Sequence, residues 1–305
     1  MPESHLTWKT ALVEFKAYLQ LERSLAINSV EAYMRDIEKL KLFVIQSELE
    51  LLPQTLEPKH CELFLQTLTE TGISIRSQAR ILSGIKAFYK FLMLEEWIKR
   101  NPVKHLESPK IGTKVPTILS VEEINQMIAA IDLSKPEGER NKAIIEVLYG
   151  CGLRASELTS LKISNLYLQA GFVRIIGKSN KERLVPINQS ALKQVLIYKE
   201  QVRVHQPIKP KMEDFLFLNR RGKNLSRVMI FNIVKQAAKE AGIQKVVSPH
   251  TFRHTFATHL YEGGADLRAI QEMLGHESIT TTEIYSKIDQ SYLRDTLIQF
   301  HPRFG

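Results

Sequence analysis

The stretch from residue 248 to residue 285 constrains the chain most, because helix starts and stops can be read along it. Pro249 suits the first turn of a helix, and Gly263-Gly264 ends that helix. Asp266 can cap a second helix, which Gly275 breaks. We therefore expect short helices joined by tight turns. His276 would be presented at a helix end, and Tyr285 would lie on a third short helix.

The same stretch carries cations beside a phenol. His250 and Arg253 are three residues apart, so they share one face of a helix. Together with His276 and Tyr285 they form a set without carboxylates, which suggests chemistry on a phosphate. A single histidine is usually a packed or surface residue, and that interpretation is favoured for His254 and His259.

A zinc site is the competing interpretation of this histidine-rich helix. His250 and His254 have the i, i+4 spacing of zinc ligands, but no glutamate follows His250 and no cysteine is near. The sequence therefore indicates no metal and no other cofactor.

Length and charge limit the class of protein. A chain of 305 residues is enough for about two domains. Its net charge of +9 fits a polyanionic partner and an ordinary basic protein equally well. Two distant cysteines argue against a disulfide framework, and no apolar run approaches the length of a membrane span. We expect a cytoplasmic protein with no membrane contact.

The first hundred residues have helical spacing throughout. Four amphipathic segments with short connections predict a small all-α bundle. The fourth segment carries the basic residues Arg76, Arg80, Lys86 and Lys90. They are explained equally well as a solvated face and as a face that follows a phosphate backbone.

Proline, glycine and lysine then mark a linker. We place the N-terminal domain at residues 1–105, an extended linker at 106–119 and the second domain at 120–305. In the second domain, residues 172–187 predict two strands joined by a polar turn, and 214–218 a third strand. A basic helix is expected over 226–241.

Two further candidate residues lie early in the second domain. Arg154 stands at a junction between helices, where the start of a helix favours a bound anion, although a salt bridge to Glu157 explains it as well. Lys178 lies at the polar turn, with Lys181 and Arg183 close by in sequence. A cationic turn is often only solvated, but a lysine there can also reach into a groove.

Six positions, taken in order, resemble the signature of the tyrosine recombinase (phage integrase) family, most closely its Xer branch and the XerD-like type. They are Arg154 in G-L-R-A-S-E-L, Lys178 in G-K-S-N-K-E-R-L-V-P, His250 and Arg253 in H-T-F-R-H, His276 in L-G-H-E-S-I, and Tyr285 in T-T-T-E-I-Y. The likeness covers nearly the full chain, including R-N-P-V near the linker and H-P-R at residues 301–303.

This resemblance implies a mainly α fold of two domains that clamp double-stranded DNA. The N-terminal domain would be a four-helix, SAM-like core-binding bundle. The catalytic domain would be α-rich with a small antiparallel β-sheet.

The resemblance also implies roles for the six residues. Tyr285 would attack the scissile phosphate, while Arg154, Arg253 and His276 would bind its oxygens. His250 is our candidate for the base, and Lys178 for the acid that protonates the leaving 5′-oxygen, with Lys181 as the fallback.

For partners, the resemblance implies a synapse of four protomers, formed by this chain alone or with a second Xer-type recombinase. The segment 291–300 would pass between protomers as an exchange tail, and a DNA translocase of the division septum is a further candidate partner. The expected function is site-specific recombination that resolves chromosome dimers. The alternatives are an integrase of a mobile element, a type IB topoisomerase and an inactive architectural protein.

Overall fold

The computed structural model describes residues 6–109, 112, 116–177, 181–275 and 290–303. The chain divides into two compact units, Met1–Lys114 and Val115–Gly305. The fold is mainly α-helical, as the sequence predicted.

The N-terminal unit is a bundle of four amphipathic helices. They are α1 (Trp8–Ala17), α2 (Ile27–Gln46), α3 (Pro58–Glu70) and α4 (Ile75–Leu94). Phe15 and Phe88 meet edge to face in the core, with ring centroids 5.2 Å apart. Ser74 caps α4 by accepting the Ser77 N–H at 3.3 Å. Asn28 does not cap α2, which begins one residue earlier.

Helices dominate the second unit as well. They are α5 (Val121–Ala129), α6 (Gly138–Cys151), α7 (Ala155–Thr159), α8 (Gln189–Ile197), α9 (Arg227–Glu240), α10 (Pro249–Gly263), α11 (Leu267–Leu274) and α12 (Gln290–Phe300). The expected cap of α11 forms, since Asp266 accepts the Arg268 N–H at 2.9 Å. Ser120 caps α5 in a similar way by accepting the Glu123 N–H at 3.2 Å.

A small antiparallel sheet lies between α7 and α8. Its strands are β1 (Leu166–Tyr167), β2 (Phe172–Ile176) and β3 (Glu182–Pro186), in the order β1-β2-β3. Residues 172–187 therefore form the predicted pair of strands.

The third strand predicted at 214–218 is wrong. Leu216 and Leu218 are fully buried, but this segment makes only isolated bridges, from Phe215 to Lys162 and from Leu218 to Asn224. Its apolar run reflects burial in the core rather than membership of the sheet, because a short apolar run does not distinguish the two.

Helix α6 forms the centre of the second unit. Consecutive residues on all of its sides are inaccessible to solvent, including Ile144, Leu148 and Tyr149. Residues 143–151 of this helix are apolar apart from Glu146, and a helical segment that is apolar on all sides is buried on all sides. Its fixed C-terminal end therefore provides a rigid base for the residues that follow Gly152.

The C-terminal helix α12 folds back on its own unit. Leu293 and Leu297 are buried in a cluster with Phe256 of α10 and Met273 of α11. After the helix, Arg303 makes two hydrogen bonds to the buried carboxylate of Glu146, at 2.9 and 2.8 Å. Exchange of this segment between protomers, which the family resemblance implies, stays a prediction.

His301 reinforces this docking. Its ring lies 4.7 Å from the ring of Tyr149, and its Nδ1 accepts the Arg303 N–H at 3.2 Å. Burial lowers the pKa of His301 to about 4, so the ring is neutral at physiological pH. Within the described part of the chain, no helix is long and apolar enough to cross a bilayer.

Candidate active site

Arg154 is positioned by a tight turn at the end of α6. Gly152 has a left-handed backbone (φ 59°), and a Cβ there would lie 2.5 Å from Cδ1 of Phe256. Glycine is therefore required by both conformation and space. Arg154 follows in an extended conformation at the N-cap of α7. The carboxylate of Glu157 caps this helix by accepting the Arg154 N–H at 2.8 Å.

Arg253 reaches the same place from α10. Its side chain is buried, and its guanidinium donates to the carbonyl of Gly152 at 2.9 Å and to that of Leu274 at 2.5 Å. These carbonyls lie at the ends of α6 and α11, so one side chain joins three helices. Burial, and the charge of Arg154, lower the pKa of Arg253 to about 10, which leaves it protonated near neutral pH.

Glu157 is the centre of the cluster. It is 4% exposed, and its two oxygens accept four hydrogen bonds. Two come from Arg154, from the backbone N–H and from Nη1 at 3.0 Å; two come from Arg183, at 2.9 and 3.0 Å. Burial alone would raise the pKa of Glu157, but these bonds and the charge of Arg183 outweigh it and hold that pKa below its usual value.

Arg183 is the residue that sequence reasoning missed. The sequence indicated only that Arg183 is a cation near the turn. In the structure its side chain is 10% exposed, and all three nitrogens of its guanidinium donate hydrogen bonds. Beside the two bonds to Glu157, Nε donates to the carbonyl of Met273 at 2.8 Å. The signal was the alternation along β3: Arg183 pairs with Ile175 and lies two residues from Val185, which is fully buried.

Three of the six expected site residues lie within the described part of the chain, and three lie outside it. Arg154 and Arg253 come together around Glu157, with 3.9 Å between Nη1 of Arg253 and Oε2 of Glu157. His250 is exposed in the first turn of α10, one turn before Arg253. The other three, Lys178, His276 and Tyr285, lie outside the described residues.

Lys178 and His276 each follow a glycine that the structure describes. The Gly177 N–H donates to the carbonyl of Lys181 at 2.7 Å, at the base of the turn between β2 and β3. Gly275, in the left-handed conformation (φ 63°), caps α11 immediately before His276. These turns are the ones that the sequence pattern predicted.

The other histidines of α10 have a different environment. Nδ1 of His259 lies 2.8 Å from the hydroxyl of Tyr149, and burial lowers the pKa of His259. This contact fits the packing role expected for it. Among the described residues, no three His, Cys, Asp or Glu side chains are grouped as a metal site requires.

Charge and exposure together define what this cluster can bind. Three arginines surround one carboxylate, which leaves an excess of positive charge. Arg183 and Arg253 are buried, whereas the side chain of Arg154 is 43% exposed. The cluster can therefore present guanidinium groups to an anion and stabilise charge that develops on phosphate oxygens.

Comparison with known proteins identifies both units. Residues 12–96 match the phage integrase N-terminal SAM-like domain, and residues 117–291 match the phage integrase family. The tyrosine recombinase XerD of Chlorobaculum tepidum is 41% identical over 99% of this chain and 100% of its own length. The same-named protein of Staphylococcus aureus (strain N315) is 39% identical over 97% of this chain and 99% of its own length.

Solved structures share the fold. The XerH recombinase bound to its difH substrate superposes with a TM-score of 0.67 at 22% identity, over 97% of this chain and 90% of that one. A lambda integrase dimer on a core site gives a TM-score of 0.70 at 20% identity, over 93% of this chain and 100% of that one.

Proposed function

The chain belongs to the phage integrase family, as a site-specific DNA recombinase of the Xer type, and we propose that it cuts and rejoins DNA through Tyr285. The observation that carries this proposal is the pairing of Arg154 and Arg253 around the buried carboxylate of Glu157. The carboxylate fixes the guanidinium of Arg154, and main-chain carbonyls fix that of Arg253 beside it. Two guanidinium groups held in this way suit a phosphate whose charge grows during the reaction.

The chemical step conserves the phosphodiester. The phenol oxygen of Tyr285 attacks the scissile phosphorus, a bond from that oxygen to phosphorus forms, and the bond to the 5′-oxygen breaks. The products are a 3′-phosphotyrosyl link and a free 5′-hydroxyl. Attack by a 5′-hydroxyl reverses the step, so no external energy source is needed.

The positive groups act on the phosphate oxygens. The side chain of Arg154 is partly exposed, and its guanidinium donates to Glu157 through Nη1. Arg253 is held rigidly by two main-chain carbonyls. We assign both to the non-bridging oxygens, with His276 beside them, because charged donors give the strongest hydrogen bonds to phosphate.

Two protons have to move. The pKa of a tyrosine is about 10, so near neutral pH the attacking phenol needs a base or nearby cations. His250 is exposed and lies on the same helix as Arg253, which supports it as that base. Lys178 is assigned to protonate the leaving 5′-oxygen.

The biological role follows from the full-length similarity to proteins named XerD. We propose that this chain acts in the cytoplasm on double-stranded DNA, in a synapse of four protomers that resolves chromosome dimers. The other protomers are copies of this chain or a second Xer-type recombinase. A septal DNA translocase is the proposed activator, and α12 is the segment proposed to pass between protomers.

Substitution of Tyr285 by phenylalanine tests the proposal. Tyr285→Phe removes only the hydroxyl, so we expect DNA binding within about twofold of the wild type, since the arginine cluster is intact. No protein–DNA adduct should survive denaturing electrophoresis.

Tyr292→Phe is the matched control, because Tyr292 is 46% exposed on α12. It should form adduct like the wild type. An adduct in Tyr285→Phe that disappears in Tyr292→Phe would transfer the nucleophile to Tyr292 and overturn the assignment.

A further inference from the structure

We infer that Arg183 is a positioning residue of the recombination reaction, which keeps Arg154 and Arg253 available for the phosphate by saturating Glu157. This inference rests on the proposed function. It concerns a side chain with no place among the six residues that the sequence motif supplies.

The first observation is how the acceptor positions of Glu157 are filled. A carboxylate offers about four lone-pair sites, and Arg183 occupies two of them, through Nη1 at 2.9 Å and Nη2 at 3.0 Å. Arg154 occupies the other two. Nη1 of Arg253 therefore stays 3.9 Å from Oε2 of Glu157, and Arg253 donates its hydrogen bonds to main-chain carbonyls instead.

Loss of Arg183 would leave two empty acceptor sites on a buried anion. An unpaired charge at such a position is costly, so the nearest cations would move to compensate. Those cations are Arg154 and Arg253, which the reaction needs for the phosphate. The arginine that touches no substrate thus determines where the other two point.

The second observation is that Arg183 connects three separate segments. It starts from β3, the strand that follows the turn carrying Lys178. Its Nε donates to Met273 in the last turn of α11, and its other nitrogens reach Glu157 on α7. A Cβ on Gly275 would lie 3.1 Å from Cδ of Arg183, so the side chain also packs against the residue before His276.

Arg183 has little accessible surface with which to contact DNA. Its side chain is 10% exposed, and the three nitrogens of its guanidinium are all engaged. This separates it from Arg154, whose side chain is 43% exposed. A direct role in binding substrate is therefore excluded by geometry, and its effect has to pass through its neighbours.

Arg183→Lys and Arg183→Met test the inference, with Arg174→Met as the matched control. Arg174 lies on the adjacent strand β2 and donates two hydrogen bonds to Asn165, but it does not contact Glu157. The assay measures the single-turnover rate at which the protein forms a covalent adduct with a nicked duplex. The duplex carries the target site, which is identified by sequencing DNA fragments attached to the wild-type protein. DNA affinity and melting temperature are measured in parallel.

We expect the cleavage rate of Arg183→Lys to fall about 100-fold, the size typical of a small misplacement of reacting groups. Lysine keeps the charge but cannot bond Glu157 at two points and Met273 at a third. Affinity for DNA and melting temperature should stay close to those of the wild type. Arg174→Met should cleave at the wild-type rate.

A double variant separates positioning from simple packing. Glu157→Gln removes the charge that would attract Arg154 and Arg253, so it should recover at least tenfold of the rate lost in Arg183→Met. A role in packing alone predicts no recovery, because the double variant lacks more contacts than either single variant.

Cleavage by Arg183→Lys at the wild-type rate would overturn the inference, as would a double variant no faster than Arg183→Met. Failure of the wild type to form any adduct would instead overturn the proposed function. The two failures are therefore distinguishable within one experiment.

Discussion

At the scale of residues, the guanidinium of Arg154 has to serve both Glu157 and a phosphate. Its Nη1 donates to Glu157 at 3.0 Å, while 43% of the side chain remains accessible. The carboxylate fixes the orientation of the group and leaves donors free for the substrate. This is how a residue that looks like half of a salt bridge can also belong to an anion site.

The sequence left open whether the salt bridge to Glu157 explains Arg154 or serves its anion-binding role by fixing the guanidinium. The structure shows the salt bridge, and the anion-binding role stays a prediction. Glu157 could be predicted because it lies three residues along the same short helix. The alternation along β3 could have indicated that Arg183 is buried, but not which residues it contacts, because its bonds to Glu157 and Met273 join positions 26 and 90 residues apart in the chain. Local periodicity contains no information on such pairings.

Lys178 gives a prediction that depends on one proton. If Lys178 protonates the leaving 5′-oxygen, a substrate with sulfur at that bridging position should not need it, since a thiolate leaves readily without a proton. Lys178→Ala should cleave the ordinary substrate about 100-fold more slowly than the wild type and the sulfur substrate at nearly the same rate. Rates of adduct formation on both substrates measure this.

Lys181→Ala is the control for that experiment, because Lys181 is a lysine three residues further along the sequence. Equal losses on both substrates in Lys178→Ala would rule out the acid role. Selective rescue by sulfur in Lys181→Ala would move the role to Lys181.

At the scale of elements, helix α4 has a basic face with a structural complication. The helix contains no acidic residue, and Arg76 and Lys90 are exposed on it. Arg80, however, contacts the buried carboxylate of Asp36 on α2 at 2.5 Å. Burial raises the pKa of Asp36 despite this partner. Arg80 is therefore part of the packing between two helices as well as of the basic face.

This arrangement determines which substitutions test DNA binding by α4. Arg76→Gln and Lys90→Gln should each reduce the slope of log affinity against log salt by about 1, if each residue neutralises one phosphate. Lys16→Gln on α1 is the control, because Lys16 is exposed on a different helix. Binding titrations at several salt concentrations measure the slopes.

Unchanged slopes in Arg76→Gln and Lys90→Gln would show that the basic face of α4 is exposed to solvent and does not contact DNA phosphates. Charge reversal at Arg80 is unsuitable for the test, because it would place a second carboxylate beside Asp36. A loss of binding there would report a damaged bundle as readily as a lost DNA contact.

Helix α12 is the second element with a testable role. Truncation after Asp289 removes Leu293 and Leu297, each of which stabilises the fold by about 2 kcal/mol through burial. We expect a lower melting temperature but largely retained binding to a single DNA site. Cooperative binding to paired sites and complete recombination should be lost, while cleavage of a nicked substrate persists.

Gln299→Ala, at an exposed position of α12, should behave like the wild type in the same mobility-shift and recombination assays. A truncated protein that assembles paired sites and recombines normally would show that α12 serves only its own unit.

The element scale also shows what a single sequence can predict. The cap at Asp266 formed as expected, because it depends only on a side chain and a backbone N–H two residues away. Ser74 and Ser120 cap their helices by equally local bonds, to an N–H three residues away. The prediction of a strand at 214–218 was wrong, because a buried segment and a paired strand can have the same run of apolar residues. Pairing partners are a property of the fold rather than of the segment.

At the scale of the whole molecule, a helical bundle is joined to a catalytic unit, and the candidate chemistry lies in the second unit. The division into Met1–Lys114 and Val115–Gly305 falls within the stretch where the sequence placed the linker. That the two units together clamp double-stranded DNA stays a prediction. It depends on how the units close around a duplex.

The central claim is that this chain breaks DNA at particular sites through a tyrosine. The most direct measurement is to trap covalent protein–DNA adducts in growing cells, and to sequence the attached fragments from the wild type and from Tyr285→Phe. We predict wild-type fragments that converge on one or a few sites, each joined through a 3′-phosphate, and none in Tyr285→Phe. Fragments scattered over the genome would indicate site-independent relaxation by a topoisomerase and contradict the account.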